Sequence, residues 1–160
     1  MKRIDILFAF LFVLLAAAGC TKKTVFSEYK TIDKNGWKKD SVAVFDVAVS
    51  DTIGVYDVIV NIRNKNEYPY QNLYLFITST SPSDAKACDT LNCILADNQG
   101  HWYGSGIGSM STLPILYMSK IKFPEQGNYH FEIKQGMRES VLQGVSDIGL
   151  HVKLAEDEQK

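Results

Sequence analysis

Three cysteines, three histidines and a scatter of turn-borne aromatics are the residues of this 160-residue chain with chemistry to offer. His130 and His151 fall at outward positions of alternating segments, and His101 lies in a Gly-rich turn, so all three read as surface histidines. No His-Glu-x-x-His or Gly-x-Ser-x-Gly occurs, and no nucleophile stands at a recognisable spacing from a base. Gly104-Ser105-Gly106-Ile107-Gly108-Ser109 has the composition of a phosphate loop. Such a cradle needs a strand before it and a helix N-terminus after it, whereas Met110 to Pro114 leads into another strand. It reads as a flexible connection. The expectation is no catalytic residue, no metal set and no small-molecule cofactor.

Cys20 has a different setting. Lys2 and Arg3 precede an uninterrupted apolar run, Ile6 to Ala18, and Ala17-Ala18-Gly19 leads directly to the cysteine. That order is the layout of a secretory signal. As a helix the 13-residue run would reach about 20 Å, short of the roughly 30 Å hydrocarbon core of a bilayer. A cysteine directly after Ala-Ala-Gly resembles the bacterial lipobox, in which the thiol is acylated and the bond before it is cut. Ala17 stands where leucine is commonest. Residues 1–19 are thus expected to be removed, and Cys20 to carry the lipid. Residues 20–30 are expected to form the lipidated N-terminus and a polar tether that begins Thr21-Lys22-Lys23. Each buried methylene contributes about 0.8 kcal/mol, so the two or three acyl chains of such a cysteine would hold stably. The first expected partner is a membrane, reached through the covalent lipid.

Removing Lys2, Arg3 and Asp5 from 17 basic and 18 acidic residues leaves a mature charge of about −2, which excludes a broad basic surface and so argues against nucleic acid. The 141 remaining residues suit one domain with a real core. Cys88 and Cys93 bound the segment Cys88-Asp89-Thr90-Leu91-Asn92-Cys93. In an oxidising compartment a local disulfide is the favoured reading, contributing about 2 kcal/mol in the chain-entropy model. A zinc pair lacks further Cys or His at ligand spacing. Two free thiols stay open, because sequence does not show whether the side-chain vectors meet.

The elements that must position these residues have period two almost throughout. Ala43, Phe45, Val47 and Val49 share one face, as do Tyr56, Val58, Val60 and Ile62. Leu73 to Ile77 is apolar on both faces and reads as a central strand. Ile115, Tyr117, Ile121 and Phe123 line one side of a later strand; Tyr129, Phe131 and Ile133, then Ile148, Leu150, Val152 and Leu154, line two more. Turn-forming clusters separate these runs, so residues 31–160 are predicted to form an all-β domain, a single antiparallel β-sandwich. Met137, Val141 and Leu142 fit one short helix near the C-terminus, closed by Gly144.

Trp37, Tyr68, Tyr70, Trp102 and Tyr103 lie in or beside turns rather than on the alternating faces. They either cap the ends of the sandwich or form a surface for a protein partner or a glycan. Asp40-Ser41-Val42, Asp51-Thr52-Ile53 and Asp89-Thr90-Leu91 share the form acid, hydroxyl, aliphatic. That form resembles the O-glycosylation acceptor of exported Bacteroidota proteins, which makes Ser41, Thr52 and Thr90 candidates.

Several segments in order resemble one family. They are Asn35-Gly36-Trp37, the run Tyr68-Pro69-Tyr70-Gln71-Asn72-Leu73-Tyr74-Leu75-Phe76-Ile77, and Asp89-Thr90-Leu91. Leu95-Ala96-Asp97 with Gly100-His101-Trp102-Tyr103-Gly104-Ser105-Gly106 follows, then Phe123-Pro124 with Gly127-Asn128-Tyr129. Gln135-Gly136-Met137-Arg138, Gly144 and Asp147-Ile148-Gly149-Leu150 complete the set. Behind a lipoprotein signal, the chain looks like the gliding-motility lipoprotein GldH family of Bacteroidota. The resemblance implies a non-enzymatic envelope lipoprotein acting with other motility proteins in gliding and the linked secretion machinery. Thr21-Lys22-Lys23 lacks the acidic stretch that resembles a surface-export signal, which favours the outer membrane facing the periplasm. The competing class is a carbohydrate-binding lipoprotein of a nutrient-uptake system, motivated by the tryptophans and tyrosines.

Overall fold

Side chains that alternate apolar and polar force a chain into strands with one face to bury, as they do here over Ala43–Val49, Tyr56–Lys65 and Gly127–Gln135, where burial alternates. The computed structural model describes residues 24–156, so Cys20 and the signal lie outside the described residues. The strands are β1 (Thr24–Thr31), β2 (Trp37–Lys38), β3 (Ala43–Val49), β4 (Tyr56–Lys65), β5 (Asn72–Thr80), β6 (Lys86–Ile94), β7 (Met110–Ile121), β8 (Gly127–Gln135), β9 (Val141–Leu142) and β10 (Val145–Leu154). One four-stranded sheet has the order β1-β10-β4-β7, the other β3-β8-β5-β6, and β2 pairs with β9 as a small ribbon. All pairings are antiparallel.

The buried faces of both large sheets join one core, as a β-sandwich requires. Val58, Val60, Ile62, Ile148, Leu150 and Val152 come from the first sheet; Phe45, Val47, Leu73, Leu75, Ile77, Phe131 and Ile133 come from the second. Each large side chain so buried contributes about 1.5–3 kcal/mol. Phe26 of β1 meets Phe45 of β3 edge to face, ring centroids 6.4 Å apart, which ties one sheet to the other. Both ends of the core are closed by aromatics. Tyr56, Phe123 and Tyr129 stack at one end, with centroids 5.3 and 4.7 Å apart. Trp37, Tyr68 and Leu142 close the other.

Four expectations are corrected. Residues 24–30, expected in the tether, belong instead to the edge strand β1, which is paired along its length with β10. Glu28 and Lys30 sit at its half-buried positions and bridge each other at 2.5 Å, so its alternation is charged rather than apolar. The short helix is absent: Met137 lies in an irregular turn, and Val141 and Leu142 form β9. Leu142 is drawn into the core opposite Trp37, a long-range pairing that outweighs its local helical spacing. Leu73–Ile77 is a central strand as read, but only Leu73, Leu75 and Ile77 are buried; Tyr74 and Phe76 face outward. Cys88 and Cys93 are both free. They sit five residues apart on β6, where an odd separation points the side chains to opposite faces, far beyond disulfide reach.

Candidate functional site

Strand direction sorts the loops into two ends. Thr24, Val49, Tyr56, Thr80, Ile121, Gly127 and Leu154 mark one end, where the chain enters from residue 23. The residues connecting β1 to β2, β4 to β5, β6 to β7 and β8 to β10 gather at the other. All five turn aromatics, Trp37, Tyr68, Tyr70, Trp102 and Tyr103, fall at this second, far end.

They do not all serve one purpose. Trp37 is 1% exposed and donates its indole N–H to Ser41 O at 3.1 Å; Tyr68 is buried and donates to Asn72 O at 2.8 Å. These two are core lids rather than a contact surface. Burial pushes the Tyr68 phenol well above its ordinary range. Tyr70 packs edge-on to Tyr68 at 5.9 Å and Trp102 lies on its other side at 6.3 Å, both half-buried. Tyr103 is 61% exposed.

The loops that carry them are built, not loose. Ala96 bridges Trp102, and the intervening turn is held by Asp97, whose Oδ1 accepts the N–H groups of Gln99 and His101 at 2.9 and 2.8 Å. His101 Nδ1 lies 2.9 Å from Asp97 Oδ2, so this histidine is a turn brace. Those bonds hold Asp97 below the usual carboxylate range, the His101 N–H first among them. The Gly-rich segment folds back on β7, with Ser105 and Thr112 exchanging backbone bonds at 3.0 and 2.8 Å. A Cβ at Gly106 would sit 2.0 Å from Met110 O, which explains the glycine there and corrects the flexible-connection reading.

Beside Tyr70 an open cleft of about 490 Å³ is lined by Tyr70, Tyr74, Gly136, Met137, Arg138 and Glu139. The buried Gln135 shapes its rim: its amide donates to Glu139 O at 2.9 Å and accepts Met137 N–H at 2.8 Å. Tyr70 donates its hydroxyl to Glu139 Oε1, which keeps the carboxyl low and raises the phenol. Glu139 Oε2 is buried and makes no hydrogen bond with the described residues. Met137 is marked in the sequence only by its helix-like spacing and by the segment Gln135-Gly136-Met137-Arg138 of the family pattern, and no sequence signal points to Glu139, the residue after that segment.

Other candidates lie apart. His130 faces Asp46 at 2.7 Å on the outer face of the second sheet, and His151 is half-buried on β10, where burial lowers its pKa. Ser41 and Thr90 are exposed and Thr52 is half-buried, in three separate places.

The family model described as GldH lipoprotein matches residues 24–152. The chain belongs to the GldH lipoprotein family. A gliding motility lipoprotein GldH of Flavobacterium johnsoniae is 36% identical over 152 residues, covering 88% of this chain and 94% of that protein. A gliding motility lipoprotein GldH homolog of Christiangramia forsetii is 33% identical over 157 residues, covering 94% and 96%. The GldH match starts at the first residue of β1, stops two residues inside the end of β10, and runs through every far-end loop.

Proposed function

We propose that this GldH-family chain is a lipid-anchored, non-enzymatic part of the envelope machinery for gliding and its linked secretion, held on the periplasmic side of the outer membrane through Cys20. It docks protein partners through its far end. One observation carries this reading: Tyr103, Tyr70, Met137 and the cleft beside them collect at the end opposite Thr24, on loops fixed by internal hydrogen bonds. Rigid loops that present exposed Tyr103 beside half-buried Tyr70 and Met137 suit a docking surface, because little order is lost on binding.

The polar groups at this end argue for architecture over catalysis. Asp97 is committed to its turn and Glu139 Oε1 to Tyr70, so neither is poised as a base. The carbohydrate-binding alternative loses two of its residues, since Trp37 and Tyr68 are buried. Ser41, Thr52 and Thr90 remain proposed glycan acceptors, and Ser41 and Thr90 offer the open hydroxyls a glycosyltransferase needs. An intact mass equal to lipid plus polypeptide would remove that proposal.

Co-purification from crosslinked cells tests the docking role. The wild-type chain should bring down envelope proteins that Tyr103→Asp combined with Met137→Asp does not. A pull-down with no partner, or with one unaffected by both substitutions, would overturn it.

A further inference from the structure

β1 begins at Thr24, four residue steps along the chain from Cys20. Four steps of extended chain reach about 14 Å at most. A lipid on Cys20 therefore holds the Thr24 end of the domain within that distance of the bilayer. The far end stands away by the length of β4, ten residues or about 30 Å.

What the Thr24 end presents is specific. Thr24 pairs with Lys153, and Lys153 with Asp57, so the loop preceding β4 begins about 10 Å across the sheet from where the tether leaves. At its tip Ile53 is 83% exposed. The loop holds it there. Asp51 Oδ1 accepts Ile53 N–H at 2.8 Å and Gly54 N–H at 3.2 Å, and Tyr56 donates its hydroxyl to Asp51 O at 2.8 Å. Ala155 N–H donates to Val55 O at 2.8 Å and fixes the base. Val55, Pro82 and Pro124 are exposed at the same end.

We infer that this end is a membrane-seating surface: the bilayer that holds the Cys20 lipid also receives Ile53, and the domain stands upright with Tyr103 and the Met137 cleft turned away from it. The occupant is lipid because the tether admits nothing thicker than about 14 Å beneath Thr24. Ile107 at the far end is 97% exposed and could as readily meet a bilayer. It is kept from this one by the length of the sheet. The inference rests on Cys20 being the lipid carrier.

The lipidated full chain carrying Cys88→Ser, with either Ile53→Cys or Ile107→Cys, supplies the test. Buried Cys93, its thiol pushed up to about 12, does not compete for a thiol-reactive fluorophore. Each labelled protein is reconstituted in phosphatidylethanolamine–phosphatidylglycerol vesicles with brominated acyl chains. Emission at position 53 should fall about twofold or more relative to unbrominated vesicles, and emission at 107 should not change. Equal quenching, stronger quenching at 107, or none at either site in vesicle-bound protein would overturn the upright seating. Protein that stays in the supernatant would instead overturn the Cys20 anchor, and the seating with it.

Discussion

Tyr117 of β7 donates its hydroxyl to Asp89 Oδ2 of β6 at 2.5 Å, joining the last strand of one sheet to the last strand of the other. β6 and β7 are each the last strand of their sheet, and beyond them, among the described residues, only the Ser105–Thr112 bridge touches β7 near its start. This side-chain strap crosses that flank of the domain. Tyr117→Phe keeps the ring and removes the strap, and should cost about 1 kcal/mol in urea denaturation. Faster amide exchange along β6 should accompany it. An unchanged midpoint would mean that core packing alone holds the flank.

Alkaline pH should weaken the fold. Burial raises the Tyr68 phenol, and burial followed by the Asp89 hydrogen bond raises Tyr117. Both are neutral in the folded state at pH values where the unfolded chain, with phenols near 10, has begun to lose protons. Their contribution is complete below about pH 10 and is lost as pH rises through the folded values. The denaturation midpoint should be flat to about pH 9.5 and fall above it, with a shallower fall in Tyr68→Phe and Tyr117→Phe. A wild-type midpoint that does not fall would contradict the assignment.

The two thiols should behave as strangers. In the native lipidated chain, maleimide should modify exposed Cys88 and leave buried Cys93 untouched; in denaturant without reductant both should react. A denatured chain with no reactive thiol would show that a disulfide forms after all.

Gly144 should be far less replaceable than Gly100. Its φ is +83° and a Cβ there would lie 2.6 Å from Tyr68 Cα, so alanine would push the Tyr68 lid out of the core. Gly100 shares the conformation, at φ +85°, with open space around it. Gly144→Ala should cost about 2–3 kcal/mol and Gly100→Ala about 1 kcal/mol in the same assay. Equal losses would place the cost in the backbone alone.

The contrast between these glycines shows where sequence reading runs out. Val58, Val60 and Ile62 were legible because a buried strand face repeats every two residues, a signal local to the strand. β1 and β6 escaped because their half-buried positions include Glu28, Lys30 and an otherwise polar edge around Asp89. The spacing of Met137, Val141 and Leu142 imitates a helix face, yet Met137 meets Tyr74 and Leu142 meets Trp37, contacts set by residues about 63 and 105 positions away. At the candidate site the aromatics were visible and their roles were not. Burial of Trp37 and Tyr68 against exposure of Tyr103 depends on how β9 and Gly144 close over the core.

The central claim is that a domain held by one end works through the other. A photo-crosslinking amino acid placed in living cells at position 103, and separately at position 84 in the β5–β6 turn of the Thr24 end, tests it most directly. Position 103 should give discrete protein adducts that are absent from 84. No protein adduct at 103, or the same adducts from both positions, would contradict it.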